Sequence, residues 1–264
     1  MIAAGSLRGR TAVITGASRG IGAATARALA RAGGSLLVSS RSSDLDALAD
    51  ELRDFGASVV ARSCDVSDPA SVRALSEFAR QTVGQVDILV NNAGVSGSAP
   101  LHRITLDDWN RMFAINATGT FLCSQAFVPE MVARGWGRVV NLASIAALEG
   151  SKYIAAYAAS KHAVLGFTRC IAPELAGTGV TIHAVCPGYV DTPMTEASIR
   201  NVSQKTGLDR DAALRLILES AGQSRLLTAD EVAAAVLDLC IGEVEAVRGA
   251  AIVFDAEGKA HPAE

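Results

Sequence analysis

A chain of 264 residues, half of them hydrophobic, has enough apolar material to bury a large core within one α/β domain. Its formal net charge of −3, with no stretch that concentrates Lys or Arg, argues against nucleic acid or an anionic membrane as a partner. The cysteines Cys64, Cys123, Cys170, Cys186 and Cys240 follow neither Cys-x-x-Cys nor mixed His/Cys spacing, so neither a disulfide framework nor a metal site is expected.

The β-branched run "RTAVITG" predicts a first strand, and "GAATARALARAG" a helix behind it. Between them lies "TGASRGIG", Thr15 to Gly22. Gly16, Gly20 and Gly22 permit a tight turn and a close approach of backbone N–H groups to a pyrophosphate at the helix start. "SLLVSSR" predicts the second strand. Users of NAD normally carry a carboxylate at its end, but here Ser40 and Arg41 stand there and no acidic residue precedes Asp44. Arg41, with Arg19 of the glycine turn, has the charge to grip a 2′-phosphate, which favours NADPH/NADP. NAD stays open as the alternative, since both arginines also fit ordinary solvated loops. The third strand, "ASVVARSCDV", ends in Asp65 and Val66, placed to meet an adenine edge and face, although Asp65 also suits a helix cap.

Further strands follow at "VDILVNNAG", "GRVVNLAS", "VTIHAVCPG" and "AAIVFDA", with helices around 107–134, 155–176 and 228–241. The alternation predicts an α/β, Rossmann-like doubly wound parallel sheet of about seven strands, helices on both faces, in a single domain spanning 1–264. Ligands in such sheets collect at the carboxyl ends of the strands. The pattern breaks only at 187–227, where "SIRNVSQKTGLDRDAALRLILES" predicts one or two amphipathic helices as a substrate lid.

In chain order, "TGASRGIG", "CDV", "NNAG", "NATGTF", "NLAS", "YAASK" and "PGYVDTP" resemble the single-domain short-chain dehydrogenase/reductase family over nearly the whole length. Within it the chain is most similar to reductases of 3-oxoacyl thioesters and to polyketide ketoreductases. The resemblance implies a catalytic group of Asn116, Ser144, Tyr157 and Lys161. It also implies cofactor contacts from Gly16, Ser18, Arg19, Gly20, Ile21 and Gly22, from Ser40, Arg41, Asp65 and Val66, and from Asn91, Asn92, Ala93 and Gly94. Pro187, Gly188, Val190 and Thr192 complete the set, with Tyr157 and Lys161 on the nicotinamide side. The C-terminus, "AAIVFDAEGKAHPAE", departs from the family pattern.

Tyr157 and Lys161 are four residues apart, one turn along the same helix face, so a lysine ammonium is expected to lower the phenol's proton affinity. Tyr153 and Lys152 are adjacent and diverge, which leaves Tyr157 as the acid and Tyr153 as a pocket wall. By the resemblance, Lys161 also binds the nicotinamide ribose, Ser144 hydrogen-bonds the substrate oxygen, and Asn116 holds a water that links Lys161 to solvent. Ser96, Ile145, Leu148, Glu149 and Tyr153 are expected around the substrate; Glu149 weighs against a short keto acid. His162 is expected to point away from the site and Cys186 to serve packing. The reaction implied is NADPH-dependent reduction of a carbonyl, with oxidation of a secondary alcohol or hydroxyacyl-CoA by NAD as the alternative. The apolar segments "FLCSQAF" and "AVLGFTRCIA" suggest helices packed on the sheet and on a partner subunit, and the resemblance implies a homotetramer; packing within the core alone is the alternative. A cytoplasmic location is expected, since "MIAAGSLRGR" lacks a signal-peptide core and no apolar run reaches membrane-spanning length.

Overall fold

The computed structural model describes residues 5–42, 44–54, 56–242 and 249–263. Strands β1 (Thr11–Thr15), β2 (Ser35–Ser40), β3 (Val59–Ser63), β4 (Ile88–Asn91), β5 (Gly137–Leu142), β6 (Val180–Val185), β7 (Ala251–Phe254) and β8 (Ala260–Pro262) form one sheet in the order β3-β2-β1-β4-β5-β6-β7-β8. β1 to β7 pair in parallel; β8 returns antiparallel, with Val253 opposite His261. The expectation of about seven strands is thus short by one. β8 is three residues of Ala-His-Pro with no apolar run to announce it, and a proline is tolerated there because the strand is an edge.

Both faces of the central strands are buried, as helical crossovers require. On one face Ile14, Val38 and Val90 pack with Leu29 of α1 (Gly20–Arg31), Leu52 of α2 (Asp44–Asp54) and Val236 of α9 (Ala229–Ile241). On the other, Val13, Leu37 and Leu89 meet Leu75 of α3 (Pro69–Thr82) and Phe127 and Met131 of α5 (Gly119–Arg134). Successive strand residues supply opposite faces, which is why near-continuous apolar runs were needed in the sequence.

Three irregularities position the site. The helix expected at 107–134 is divided into α4 (Leu106–Met112), a π-helical turn at Phe113–Thr118, and α5. Tyr153 has φ 69°, alone among described non-glycine residues in the left-handed region, and α6 (Ala155–Glu174) starts two residues later. The segment after β6, where one or two helices were expected, carries α7 (Pro193–Thr206) and α8 (Arg210–Ser220). Among the described residues no helix is long and apolar enough to cross a membrane.

Candidate active site

The predicted residues lie mostly at or just beyond the carboxyl ends of β1 to β6. The glycine turn comes first. Gly16 has φ 63°, and a Cβ there would stand 2.7 Å from Ala93 Cα; a Cβ on Gly22 would strike Asn92 Nδ2 and the Gly16 carbonyl. The turn is therefore collapsed onto the end of β4. Asn92 holds it there, its Nδ2 donating to Thr15 O at 2.9 Å and Gly16 O at 3.0 Å. Arg19 at the N-cap of α1 provides no side-chain cap, and the first turn holds no acidic residue. Such an uncapped, carboxylate-free helix start fits a pyrophosphate. Ser18 and Ile21 are half-buried in the turn, and a Cβ on Gly20 would meet Thr192 Cγ2 at 3.2 Å, so Thr192 and the turn share one cleft.

At the ends of β2 and β3, Arg41 Nη1 lies 3.3 Å from Asp65 Oδ2. The two residues expected to serve separate parts of an adenosine are partners. Asp65 also accepts from Ser67 N and Oγ through Oδ1, and these bonds, chiefly from the Ser67 side chain, with Arg41 adding to them, hold its carboxyl below the usual range. The cap of α3 is Asp68, not Asp65. Arg19 is exposed and makes no ion pair among the described residues. Ser40 accepts from Ser42 N at 3.1 Å, and Val66 packs under Gly119.

Asn91 turns inward: its Nδ2 donates to Ser124 Oγ at 3.1 Å and Asn141 Oδ1 at 2.8 Å, joining β4 to β5 and α5 below the cleft rather than lining it. Asn116 lies in the π-helical turn, also buried. Its Oδ1 accepts from Val95 N at 2.8 Å, and its Nδ2 donates to Val95 O and to Ser160 Oγ, both at 2.9 Å. The side chain thus ties the loop after β4 to α6 at the residue before Lys161. A Cβ on Gly94 would reach Asn116 Oδ1 at 3.3 Å and Lys161 Nζ at 3.5 Å, so the three stand together.

Ser144 follows β5 and caps the short turn Ile145–Ala147, accepting from Ala146 N at 3.1 Å. Tyr157 stays partly accessible, while its hydroxyl end is desolvated beside Ser144. Burial raises the phenol's pKa, the Ser144 hydrogen bond pulls it back, and Tyr189 and Cys186 push it further up. The expected lowering by Lys161 does not govern. Lys161 Nζ donates to Leu142 O at 2.6 Å and stands 6.0 Å from the Tyr157 ring centroid, and burial lowers its own pKa to about 8. A dry pocket penalises both charges, and the ammonium is aimed at a carbonyl rather than at the phenol. Cys186 is buried, its thiol pushed up to about 11, consistent with packing. His162 is exposed and bonds Ala158 O, away from the cleft.

A strap, 187–192, crosses the opening. Pro187 O accepts from Ile145 N at 2.9 Å and from Ser144 Oγ at 3.5 Å, and Val190 bridges to Leu227. Gln223 holds Tyr189 through both backbone groups, a role that no sequence motif marked. A cavity of about 150 Å³ is lined by Gly97, Ser98, Asp108, Arg111, Met112 and Tyr153, among others. Tyr153 lines this cavity, whereas Ser144, Tyr157 and Lys161 do not. Glu149 is exposed and Ile145 half-buried; neither lines this cavity, nor do Ser96 and Leu148. α7 reaches over it, Asn201 Nδ2 donating to Ser98 Oγ at 2.8 Å and Lys205 Nζ to Ser98 O at 3.1 Å.

The family model described as short chain dehydrogenase matches residues 10–203. The chain belongs to the short-chain dehydrogenase family. Its members here include D-beta-hydroxybutyrate dehydrogenase of Cupriavidus necator, 36% identical over 92% of this chain and 95% of that protein. The 3-oxoacyl-(acyl-carrier-protein) reductase of Synechocystis is also 36% identical, over 94% and 99%. Among solved structures, a variant of actinorhodin polyketide ketoreductase with NADPH superposes with a TM-score of 0.87 at 36% identity, covering 92% of this chain and 95% of that one. As a short-chain dehydrogenase the protein is an NAD(P)-dependent oxidoreductase acting on the hydroxyl–carbonyl couple.

Proposed function

We propose that the protein reduces the ketone of a 3-oxoacyl thioester, or a related ketone, with NADPH, and that Tyr157 donates the proton. The observation that carries this reading is the convergence of the Tyr157 hydroxyl, Ser144 and Lys161 in one desolvated pocket at the end of β5. Burial keeps the phenol protonated near neutral pH, the form a proton donor needs. The glycine turn and the bare start of α1 would hold the pyrophosphate, Lys161 the nicotinamide ribose, and Arg19 with Arg41 the 2′-phosphate; the bound nicotinamide supplies the hydride. Ser144 orients the carbonyl oxygen and stabilises the charge that builds on it. Tyr157 then passes its proton to that oxygen. Asn116, fixed by three hydrogen bonds, holds Lys161's helix against the loop after β4. Segment 187–227 acts as the substrate lid.

A second reading, NAD-dependent oxidation of a secondary alcohol or hydroxyacyl-CoA, draws on one feature. Asp65 already neutralises part of Arg41's charge, which weakens the pull on a 2′-phosphate, and a relative bears the name of a hydroxybutyrate dehydrogenase. Assays with acetoacetyl-CoA and a ketone panel, using both cofactors, separate the two. The proposal expects NADPH oxidation and a loss of about 10²–10⁴-fold in kcat in Tyr157→Phe, with cofactor affinity retained. Preference for NAD unchanged in Arg41→Ala, or a fully active Tyr157→Phe, would defeat it. We further propose a homotetramer and a cytoplasmic location, the latter in keeping with five free thiols.

A further inference from the structure

Gln223 lies far from every motif of the sequence, between α8 and α9, yet its amide is spent on one residue of the strap. Its Oε1 accepts from Tyr189 N at 2.6 Å, and its Nε2 donates to Tyr189 O at 3.2 Å and to Arg225 O at 3.4 Å. This two-sided grip engages both polar backbone groups of Tyr189, and its N–H finds no partner in the Val190–Leu227 bridge, which holds only the carbonyl. The fit is close. A Cβ on Gly188 would stand 2.7 Å from Gln223 Cδ, so the glycine before Tyr189 is what lets the amide in. Leu227 N also donates to Tyr189 O at 3.0 Å, and Asp191 N to Leu227 O at 2.8 Å, which fixes the strap on the far side.

The anchor for this grip lies outside the site. Arg225, whose carbonyl Gln223 engages, makes a paired contact with Glu231 at 2.6 and 2.9 Å and donates to Glu257 O in the turn between β7 and β8. Gln223 thus connects the strap to the start of α9 and to the C-terminal hairpin. The Tyr189 ring packs against the small core of Ile199, Ala213 and Ile217 under the lid, and the residue two before it, Pro187, touches Ser144. Tyr189 is therefore set between the lid helices and the catalytic group.

We propose that Gln223 is a positioning residue for the reduction: by clamping the Tyr189 backbone it fixes the wall of the substrate cleft that faces Tyr157, and so sets substrate affinity and preference. The inference rests on the functional reading above. Gln223→Met keeps the side-chain volume and removes both hydrogen bonds to Tyr189. The expected result is a rise in KM for the ketone of about five- to tenfold, with kcat, NADPH affinity and Tm little changed. In a Tyr189→Ala background the same substitution should add almost nothing to KM, because the group it places is gone. A general loosening of the fold would instead lower Tm and weaken the cofactor as well.

Assays run in both directions keep the two ideas apart. Turnover of alcohols with NAD alone would count against the proposed function, and the KM comparison then applies in that direction. An unchanged KM in Gln223→Met, in whichever direction the wild type works, overturns the role of Gln223. So does an equal KM penalty with and without the Tyr189 side chain.

Discussion

In the proposed reduction, Lys161 is expected to set a pH limit. Its ammonium is buried with the Leu142 carbonyl as its hydrogen-bond acceptor, and desolvation lowers its pKa from the usual lysine range to about 8. Below that pH it is a cation in the same desolvated pocket as Tyr157; above it the charge that favours developing negative charge is lost. The expected kcat/KM for reduction is flat on the acid side of about 8 and falls with rising pH beyond it. Lys161→Arg, always charged, should be slower but should lose that basic limb; a limb that persists in the arginine variant would assign it to another group. His183 gives a different pH signature. It is buried in β6, and both ring nitrogens lack a hydrogen-bond partner among the described residues. Burial first, then Arg138, lowers its pKa from 6.5 to about 4. The unfolded chain takes up this proton before the folded one does, so stability is full above about 6.5 and declines as the pH falls toward 4. The decline amounts to roughly 3 kcal/mol, at about 1.4 kcal/mol for each pH unit between the two values. Urea denaturation across that window should show a shallower slope in His183→Leu, and an identical slope would remove the histidine from the explanation.

At the scale of elements, the turn between β1 and α1 combines a positive φ with a backbone collision. Gly16→Ala must both adopt φ 63° and push against Ala93 Cα, which no rotamer change relieves. The expected variant keeps its circular dichroism, because the strand and helix on either side retain their cores, yet loses at least about fivefold in NADPH affinity by fluorescence titration, the low end of such strain. Undiminished affinity would mean that the turn does not carry the cofactor. This turn was legible because strand, glycines and helix are contiguous, and a local steric rule reads contiguous residues well. The Tyr157–Lys161 spacing was legible for the same reason. What escaped is nonlocal. Gln223 meets Tyr189 34 positions earlier, and Arg41 meets Asp65 24 positions later, so neither pairing leaves a periodic mark. The π-helical turn at Asn116 escaped because one more residue per turn does not alter composition, and β8 because three residues are too few to show alternation. The direction of the Tyr157 pKa was misjudged because spacing reveals a neighbour's charge but not how dry the pocket is.

On the scale of the whole molecule, α5 and α6 carry an aromatic pair that is left partly exposed. Cys123, Phe127 and Met131 place one face of α5 against the sheet. Phe121 lies off that stripe, 42% exposed, its ring edge-to-face with Phe167 of α6 at 6.3 Å. An aromatic pair left partly in water on two long helices is a surface that gains by being covered. Burying the 42% of Phe121 still exposed contributes on the order of 1 kcal/mol, and a two-fold contact doubles whatever one copy gains. This is the surface on which the proposed homotetramer is expected to rely. A charge placed there would have to be desolvated in the assembly but stays hydrated in the single chain, so Phe121→Glu should shift the mass in sedimentation equilibrium toward a smaller species. Its thermal unfolding should still be cooperative, because Phe121 lies off the Cys123–Met131 stripe that packs on the sheet. An unchanged assembly in Phe121→Glu would move the subunit contact elsewhere, and a wild type that sediments as a monomer would leave the Phe121–Phe167 pair as an exposed patch without an oligomeric role.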